Sequence, residues 1–165
     1  MKNKRAQFLA ALLTLASVVV AGAQLFGQDL KHTTDIAVVV NAENNLGDIK
    51  LSMLRKIILG EQTTWGNHVS INLIVRREGT PEQDTMLRAL AQMNQAQFRQ
   101  FWVAKVFRGE AASEPLTVPS SGLASEFVAT HRGAVAFVRG ADLREDLKVL
   151  RVDGLLPGAP GYALR

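Results

Sequence analysis

Asp35-Ile36-Ala37-Val38-Val39-Val40 is the most strand-like run in the sequence. Its five apolar residues are consecutive, and most of them are β-branched. A strand that is apolar at every position, and not only at every second one, is typical of a sheet covered by helices on both faces, as parallel sheets are. We therefore expect residues 35 to 40 to form a strand that is buried on both faces, as in a parallel sheet.

Strand-like and helix-like segments alternate after this run. Leu51, Leu54, Ile57 and Ile58 recur at helical spacing, and Gly60 follows them where a left-handed cap is favoured. Further strands are predicted at 70 to 75, 116 to 118, 134 to 138 and 147 to 152, with helices between them. This alternation predicts a three-layer α/β sandwich with a mostly parallel or mixed sheet, in a single domain over residues 35 to 165.

Two of the predicted helices have well-marked starts. Thr80 is the expected N-cap of one helix, with Pro81 as its first residue and Gln83 as the returning partner of a capping box. Asn94 and Gln97 repeat the capping-box spacing before the next helix.

The N-terminus has the three parts of a secretory signal peptide. Lys2, Lys4 and Arg5 precede an apolar run over residues 8 to 20, and Ala21-Gly22-Ala23 supplies the small residues of a cleavage site. We predict a signal peptide over residues 1 to 23, a linker over residues 24 to 34, and export to the periplasm. The alternative is an uncleaved anchor, because residues 6 to 28 carry no charge and are about long enough to span a bilayer.

Composition excludes several classes of function. The chain has no cysteine, which rules out disulfides, thiolate metal sites and a lipoprotein anchor. Cleavage would remove three basic residues and no acid, so the net charge would fall from +4 to +1. The remaining Lys and Arg are scattered, and nucleic acid is not an expected partner.

No catalytic or metal-binding pattern stands out. His32, His68 and His131 are far apart in the sequence, without a second ligand at metal-binding spacing. The sequence also lacks a nucleophile elbow and a glycine-rich nucleotide loop. We therefore expect neither an enzyme nor a cofactor.

One turn has the chemistry of an anion site. Arg76 and Arg77 end a predicted strand, and Gly79 and Thr80 lead into a predicted helix. The start of a helix presents free N–H groups, and arginine adds paired contacts to phosphate or sulfate oxygens. The alternative is an ordinary capped helix with exposed arginines. Ser120-Ser121 opens another helix and supplies second candidates for the same anion.

These segments, in their order, resemble the phosphate-binding proteins of ABC importers. The resemblance is carried by Val40-Asn41, Leu51 to Gly60, Trp65, Arg76-x-x-Gly79-Thr80, Gly133 to Val138, Leu150-x-Val152-Asp153-Gly154, Pro157 and Tyr162-Ala163-Leu164. It implies the fold of one lobe of a type 2 periplasmic binding protein and binding of phosphate or a similar oxyanion at Arg76, Gly79 and Thr80. It also implies an inner-membrane transporter or sensor as the partner.

The resemblance has two departures. Pro81 and Glu82 stand where the family has Gly and Thr, so a backbone donor is lost and a carboxylate is added that would repel phosphate. The chain also matches one lobe of a family that closes two lobes on its ligand. Two hypotheses follow: a module that binds an oxyanion weakly, with a second copy as one means of completing the cleft, or a ligand-free module for protein interaction in the envelope. A Glu82 side chain pointing into the cleft would favour the second.

Overall fold

A computed structural model describes Leu30 and residues 33–165. The predicted signal peptide and most of the predicted linker therefore lie outside the described residues. The strands are β1 (Ile36–Asn41), β2 (Asp48–Ile49), β3 (Asn72–Arg76), β4 (Leu116–Val118), β5 (Ala134–Arg139) and β6 (Leu147–Val152). The helices are α1 (Leu51–Ile58), α2 (Pro81–Met86), α3 (Gln95–Phe107) and α4 (Ser121–Thr130). A π-helical turn (Leu87–Ala91) continues α2, and a 3-10 turn (Gly140–Asp142) follows β5.

The strands form one mixed sheet in the order β2-β6-β1-β5-β3-β4. β1 lies inside the sheet and is buried at every position, as predicted. However, β1 runs antiparallel to both of its neighbours, β5 and β6, so the expectation of parallel neighbours for this strand is wrong. Burial on both faces requires only a helical layer on each side, and it leaves the direction of the neighbouring strands open. The parallel pairs lie further out, where β3 pairs with β5 and with β4, and β2 pairs with β6.

Helices cover both faces of the sheet and give the predicted three-layer sandwich. Ile36, Val38 and Val40 of β1 belong to the core shared with α1, α3 and the π-helical turn. Ala37 and Val39 belong to the core shared with α4. Because the burial of each large aliphatic side chain contributes about 1.5–3 kcal/mol, β1 stabilises the contact with both helical layers.

The helix starts are confirmed in part. Pro81 is the first residue of α2, and Thr80 occupies the N-cap position. The predicted capping box with Gln83 is wrong, because the Thr80 side chain makes no cap and its hydroxyl donates to the Arg77 carbonyl at 2.9 Å. The capping box before α3 is confirmed by two reciprocal hydrogen bonds of 2.9 Å between Asn94 and Gln97.

The Gly- and Pro-rich segment after β6, residues 153–165, is called the tail, and it holds β1 in place. The Ile36 amide donates to the Leu164 carbonyl at 2.8 Å, and the Tyr162 hydroxyl donates to the Ile36 carbonyl at 2.9 Å. Burial, and then the charge of Asp35, raise the pKa of the Tyr162 phenol well above its usual range. Within the described part of the chain, each helix is too short or too polar to cross a bilayer.

Gly133 joins the start of β5 to the neighbouring loop. Its carbonyl accepts hydrogen bonds from the Asn72 amide and from Trp65 Nε1, both at 3.0 Å. A Cβ atom at this position would lie 1.8 Å from the Ser70 carbonyl oxygen, so the two backbones must separate if any side chain is added.

We expect Gly133→Ala to lower the free energy of unfolding by about 3 kcal/mol or more, measured by urea denaturation. Gly122→Ala is the matched control, because Gly122 is inside α4 and an added Cβ meets no atom closer than 3.9 Å. The control should stabilise the protein by up to about 1 kcal/mol. Equal stability of the two variants would contradict this account of Gly133.

Candidate functional site

The candidate site lies beyond the ends of three neighbouring strands. β5, β3 and β4 run parallel to one another, so their C-terminal ends share one edge of the sheet. The predicted turn at Arg76 follows β3, and the predicted Ser120-Ser121 pair follows β4. This edge is where α/β proteins commonly bind ligands.

Glu82 occupies the centre of this edge. Its residue is 2% exposed, and its Oε1 atom accepts a hydrogen bond from Ser121 Oγ at 3.0 Å. The same oxygen accepts a hydrogen bond from Arg76 Nε at 3.4 Å and lies 3.9 Å from Arg139 Nε. We call Glu82, Arg76, Ser121 and Arg139 the Glu82 site.

Arg76 links the parts of the Glu82 site. Its side chain is 10% exposed, and it donates from a terminal nitrogen to the Val118 carbonyl at 3.3 Å as well as to Glu82. One guanidinium therefore joins the ends of β3 and β4 to the first turn of α2. Arg139 is half exposed and also forms an ion pair with Asp142 at 3.0 Å, so it balances the charge of Glu82 only in part.

The start of α4 adds a third source of positive potential. Ser121, which donates to Glu82, is the first residue of α4, and the Ser120 hydroxyl caps that helix by accepting from the Leu123 amide at 3.2 Å. The N-terminal end of a helix favours a nearby negative charge. The Glu82 carboxylate therefore has the surroundings that would suit a bound anion.

The other predicted site residues lie around the Glu82 site without bonding to it. Arg77 is exposed, and its side chain forms no ion pair within the described residues. Gly79 has a φ of 75°, which favours glycine, and Thr80 bonds back to Arg77. The structure thus brings Arg76 and Ser121 together, while Arg77, Gly79, Thr80 and Ser120 make no hydrogen bond to Glu82 among the described residues.

Sequence reasoning missed two members of the Glu82 site. It gave Arg139 no role, although this arginine ends the buried run of β5 as Arg76 ends β3. It took Glu82 to be a residue that repels an anion, whereas the structure shows its carboxylate buried and paired with Arg76, Ser121 and Arg139. The signal for Glu82 was its position in the first turn of a helix next to two arginines, where a buried carboxylate would find partners.

Among the described residues, no three His, Asp or Glu side chains lie close enough to hold a metal ion. His131 stacks on Phe127, with ring centroids 3.8 Å apart, at the C-terminal end of α4, which is the end opposite to Ser121. The donors of the Glu82 site are cationic or neutral, which suits an anion and not a metal cation.

Comparison with solved structures shows which known fold the chain shares. No family model matches the chain, and no curated protein matches it. Solved structures do match. They include PstS from Borrelia burgdorferi, with 16% identity and a TM-score of 0.62 over 79% of this chain and 53% of that chain. An ABC-type phosphate transport receptor from Vibrio cholerae has 17% identity and a TM-score of 0.60 over 74% of this chain and 48% of that one.

The chain has the fold of one half of a phosphate-binding protein. A phosphate binding protein from Stenotrophomonas maltophilia also matches, with 16% identity and a TM-score of 0.58, over 77% of this chain and 41% of that chain. The chain thus spans about half the length of the solved structures that it matches. The similarity confirms the predicted fold of a periplasmic binding-protein lobe.

We expect Glu82→Ala to lower the free energy of unfolding by about 3 kcal/mol, because Arg76 would remain buried without its carboxylate. Glu82→Gln should lower the free energy of unfolding by less than Glu82→Ala does, since its amide oxygen can still accept from Ser121. Glu78→Ala is the control for removing an exposed carboxylate and should change stability by no more than about 0.5 kcal/mol. If Glu82→Ala proves as stable as Glu78→Ala in urea denaturation, the carboxylate does not hold this edge together.

Proposed function

We propose that this chain is an exported, binding-protein-like module whose oxyanion position is filled by its own Glu82 carboxylate, and that it acts through protein contacts in the cell envelope. The observation that carries the proposal is the burial of Glu82 among Arg76, Ser121 and Arg139. Export rests on the sequence of residues 1 to 23, and the kind of module rests on the fold.

A carboxylate can take the place of a phosphate because both are anions with oxygens that accept from arginine and serine. With Glu82 in position, a free phosphate would meet a second negative charge and find the Ser121 hydroxyl already engaged. Pro81, the first residue of α2, has no backbone N–H to offer. Capture of free phosphate would therefore require Glu82 to leave and its buried partners to be re-paired.

The hydrogen-bond donors of the Glu82 site already serve the Glu82 carboxylate. Replacing the hydration of a phosphate would require further contacts from several sides. A module of this kind is better suited to contact a membrane transporter, a sensor or a second copy than to carry an ion.

A second candidate function is weak binding of an oxyanion. Arg77 favours it, because this exposed arginine lies beside the Glu82 site and forms no ion pair among the described residues. An oxyanion held by Arg77 at the mouth of the site would bind weakly and would be released by salt.

The two candidates differ in isothermal titration with phosphate and sulfate at low salt. We expect the wild-type protein to give no heat at millimolar anion, and Glu82→Thr to gain phosphate binding because Arg76 and Ser121 become free. Glu82→Ser, which also empties the position and keeps a small hydroxyl, replaces it if the threonine variant does not fold. Adding Arg76→Ala to either variant should abolish the gain.

Micromolar binding by the wild-type protein, lost in Arg77→Ala together with Thr80→Ala, would overturn the proposal in favour of the oxyanion carrier. No gain of binding in a folded Glu82 variant would show that the site does not have the chemistry of an anion pocket.

Contact with a partner at this edge can be tested by a photo-crosslinking amino acid at position 77 in intact cells. We expect one discrete adduct, and mass spectrometry should identify it as a membrane transporter subunit, a sensor or a second copy. The same amino acid at Arg151, which is exposed on β6 three strands away, should give none. Equal labelling from both positions, or none from position 77, would contradict an interaction at this edge.

A further inference from the structure

Four buried side-chain polar atoms have no hydrogen-bond partner among the described residues, and two of them belong to residues beside α3 that share a cavity. These two are Oε1 of Gln83, a residue that is 3% exposed, and Nε1 of Trp102, which is 6% exposed. Leaving such a group unpaired costs about 1–3 kcal/mol, and native proteins rarely do so without a bound molecule to satisfy it.

Both residues line the same cavity, which has a volume of about 110 Å³. It lies between α3 and the β3–β4 edge of the sheet, with Val75 and Phe98 among its apolar walls and Pro115 in the segment before β4. Since a water molecule occupies roughly 30 Å³ of liquid, the space fits about three waters or one very small organic molecule.

The chemistry of the unpaired atoms restricts what can fill the cavity. Trp102 Nε1 can only donate, so it requires an acceptor, whereas Gln83 Oε1 can only accept, so it requires a donor. Two exposed side chains of opposite charge, Arg99 and Glu114, also line the cavity. Within the described part of the chain, neither has a hydrogen bond or ion pair from its charged group.

We propose that this cavity binds a small zwitterion, namely an α-amino acid of the size of glycine or alanine. Its carboxylate accepts from Trp102 Nε1 and pairs with Arg99, and its ammonium group donates to Gln83 Oε1 and pairs with Glu114. Val75 and Phe98 leave room for a hydrogen or a methyl group as the side chain. One ligand of this class satisfies both buried atoms and both free charges.

The site is separate from the proposed function. Glu82 faces the start of α4, whereas the next residue, Gln83, lines the cavity beside α3. Binding of an amino acid therefore does not depend on whether Glu82 excludes phosphate, and the two proposals can fail independently.

The experiment is a titration of the ¹⁵N-labelled protein followed at its two tryptophan indole N–H resonances. Trp65 Nε1 donates to the Gly133 carbonyl and is the internal control, while Trp102 Nε1 is the reporter. We expect glycine or L-alanine to shift the Trp102 resonance in a saturable way and to leave Trp65 unchanged. Acetate and methylammonium each carry only one of the two charges. Each should therefore bind at least about tenfold more weakly than the amino acids.

Two surface variants keep the test independent of folding. Arg99→Gln and Glu114→Gln should each lower the affinity for the amino acid about tenfold without changing the melting temperature of the protein. Lys56→Gln and Glu126→Gln are the matched controls, because they remove exposed charges of the same sign elsewhere and should not alter binding.

Three results would overturn the proposal and leave water as the occupant. The first is no saturable shift of Trp102 with either amino acid at tens of millimolar. The second is an equal shift with acetate alone. The third is unchanged binding in both Arg99→Gln and Glu114→Gln.

Discussion

A buried carboxylate is tolerated only where other groups replace the water that it loses, and this constraint organises one edge of the molecule. Removing an ion from water costs several kcal/mol. Arg76 and Ser121 offset that cost for Glu82, and they come from segments 45 residues apart, one at the end of β3 and the other at the start of α4. The ends of two strands and the starts of two helices are therefore fixed by one charge.

Internal neutralisation changes what a binding-protein lobe can do. The fold brings two arginines and a helix start to one edge of the sheet, and Glu82 of the same chain lies among them. Such an edge is already electrostatically satisfied, and it is held in shape without a ligand.

Local pattern predicted much of the fold, and tertiary pairing decided the rest. The continuous apolar run of β1 correctly predicted burial on both faces, since each of its side chains needs an apolar neighbour. The same run held no information on strand direction, because valines pack equally well beside parallel and antiparallel strands. Asn94 and Gln97 correctly predicted the start of α3, because both partners of that capping box lie within three residues of each other in the sequence. The prediction for Thr80 was wrong, because its hydroxyl is oriented to donate to the Arg77 carbonyl and accepts from no amide of α2.

The candidate site was predicted less well than the fold. Arg76 and Ser121 were found because they flank helix starts, and helix starts can be read from short motifs. Arg139 and the role of Glu82 were not, because they depend on which strand ends become neighbours, and that is set by the strand order. The unpaired atoms of Gln83 and Trp102 are beyond reach of sequence reasoning, since being unpaired is a property of the packed structure.

The contact between β1 and the tail has a consequence for the order in which the protein can mature. The first residue of β1, Ile36, bonds to Leu164, which is synthesised 128 residues later. Until β5, β6 and the tail have left the ribosome, β1 has no neighbouring strand on either side. The central strand therefore acquires its last partner only after synthesis has reached residue 164, so the described domain has to fold as a whole and not strand by strand.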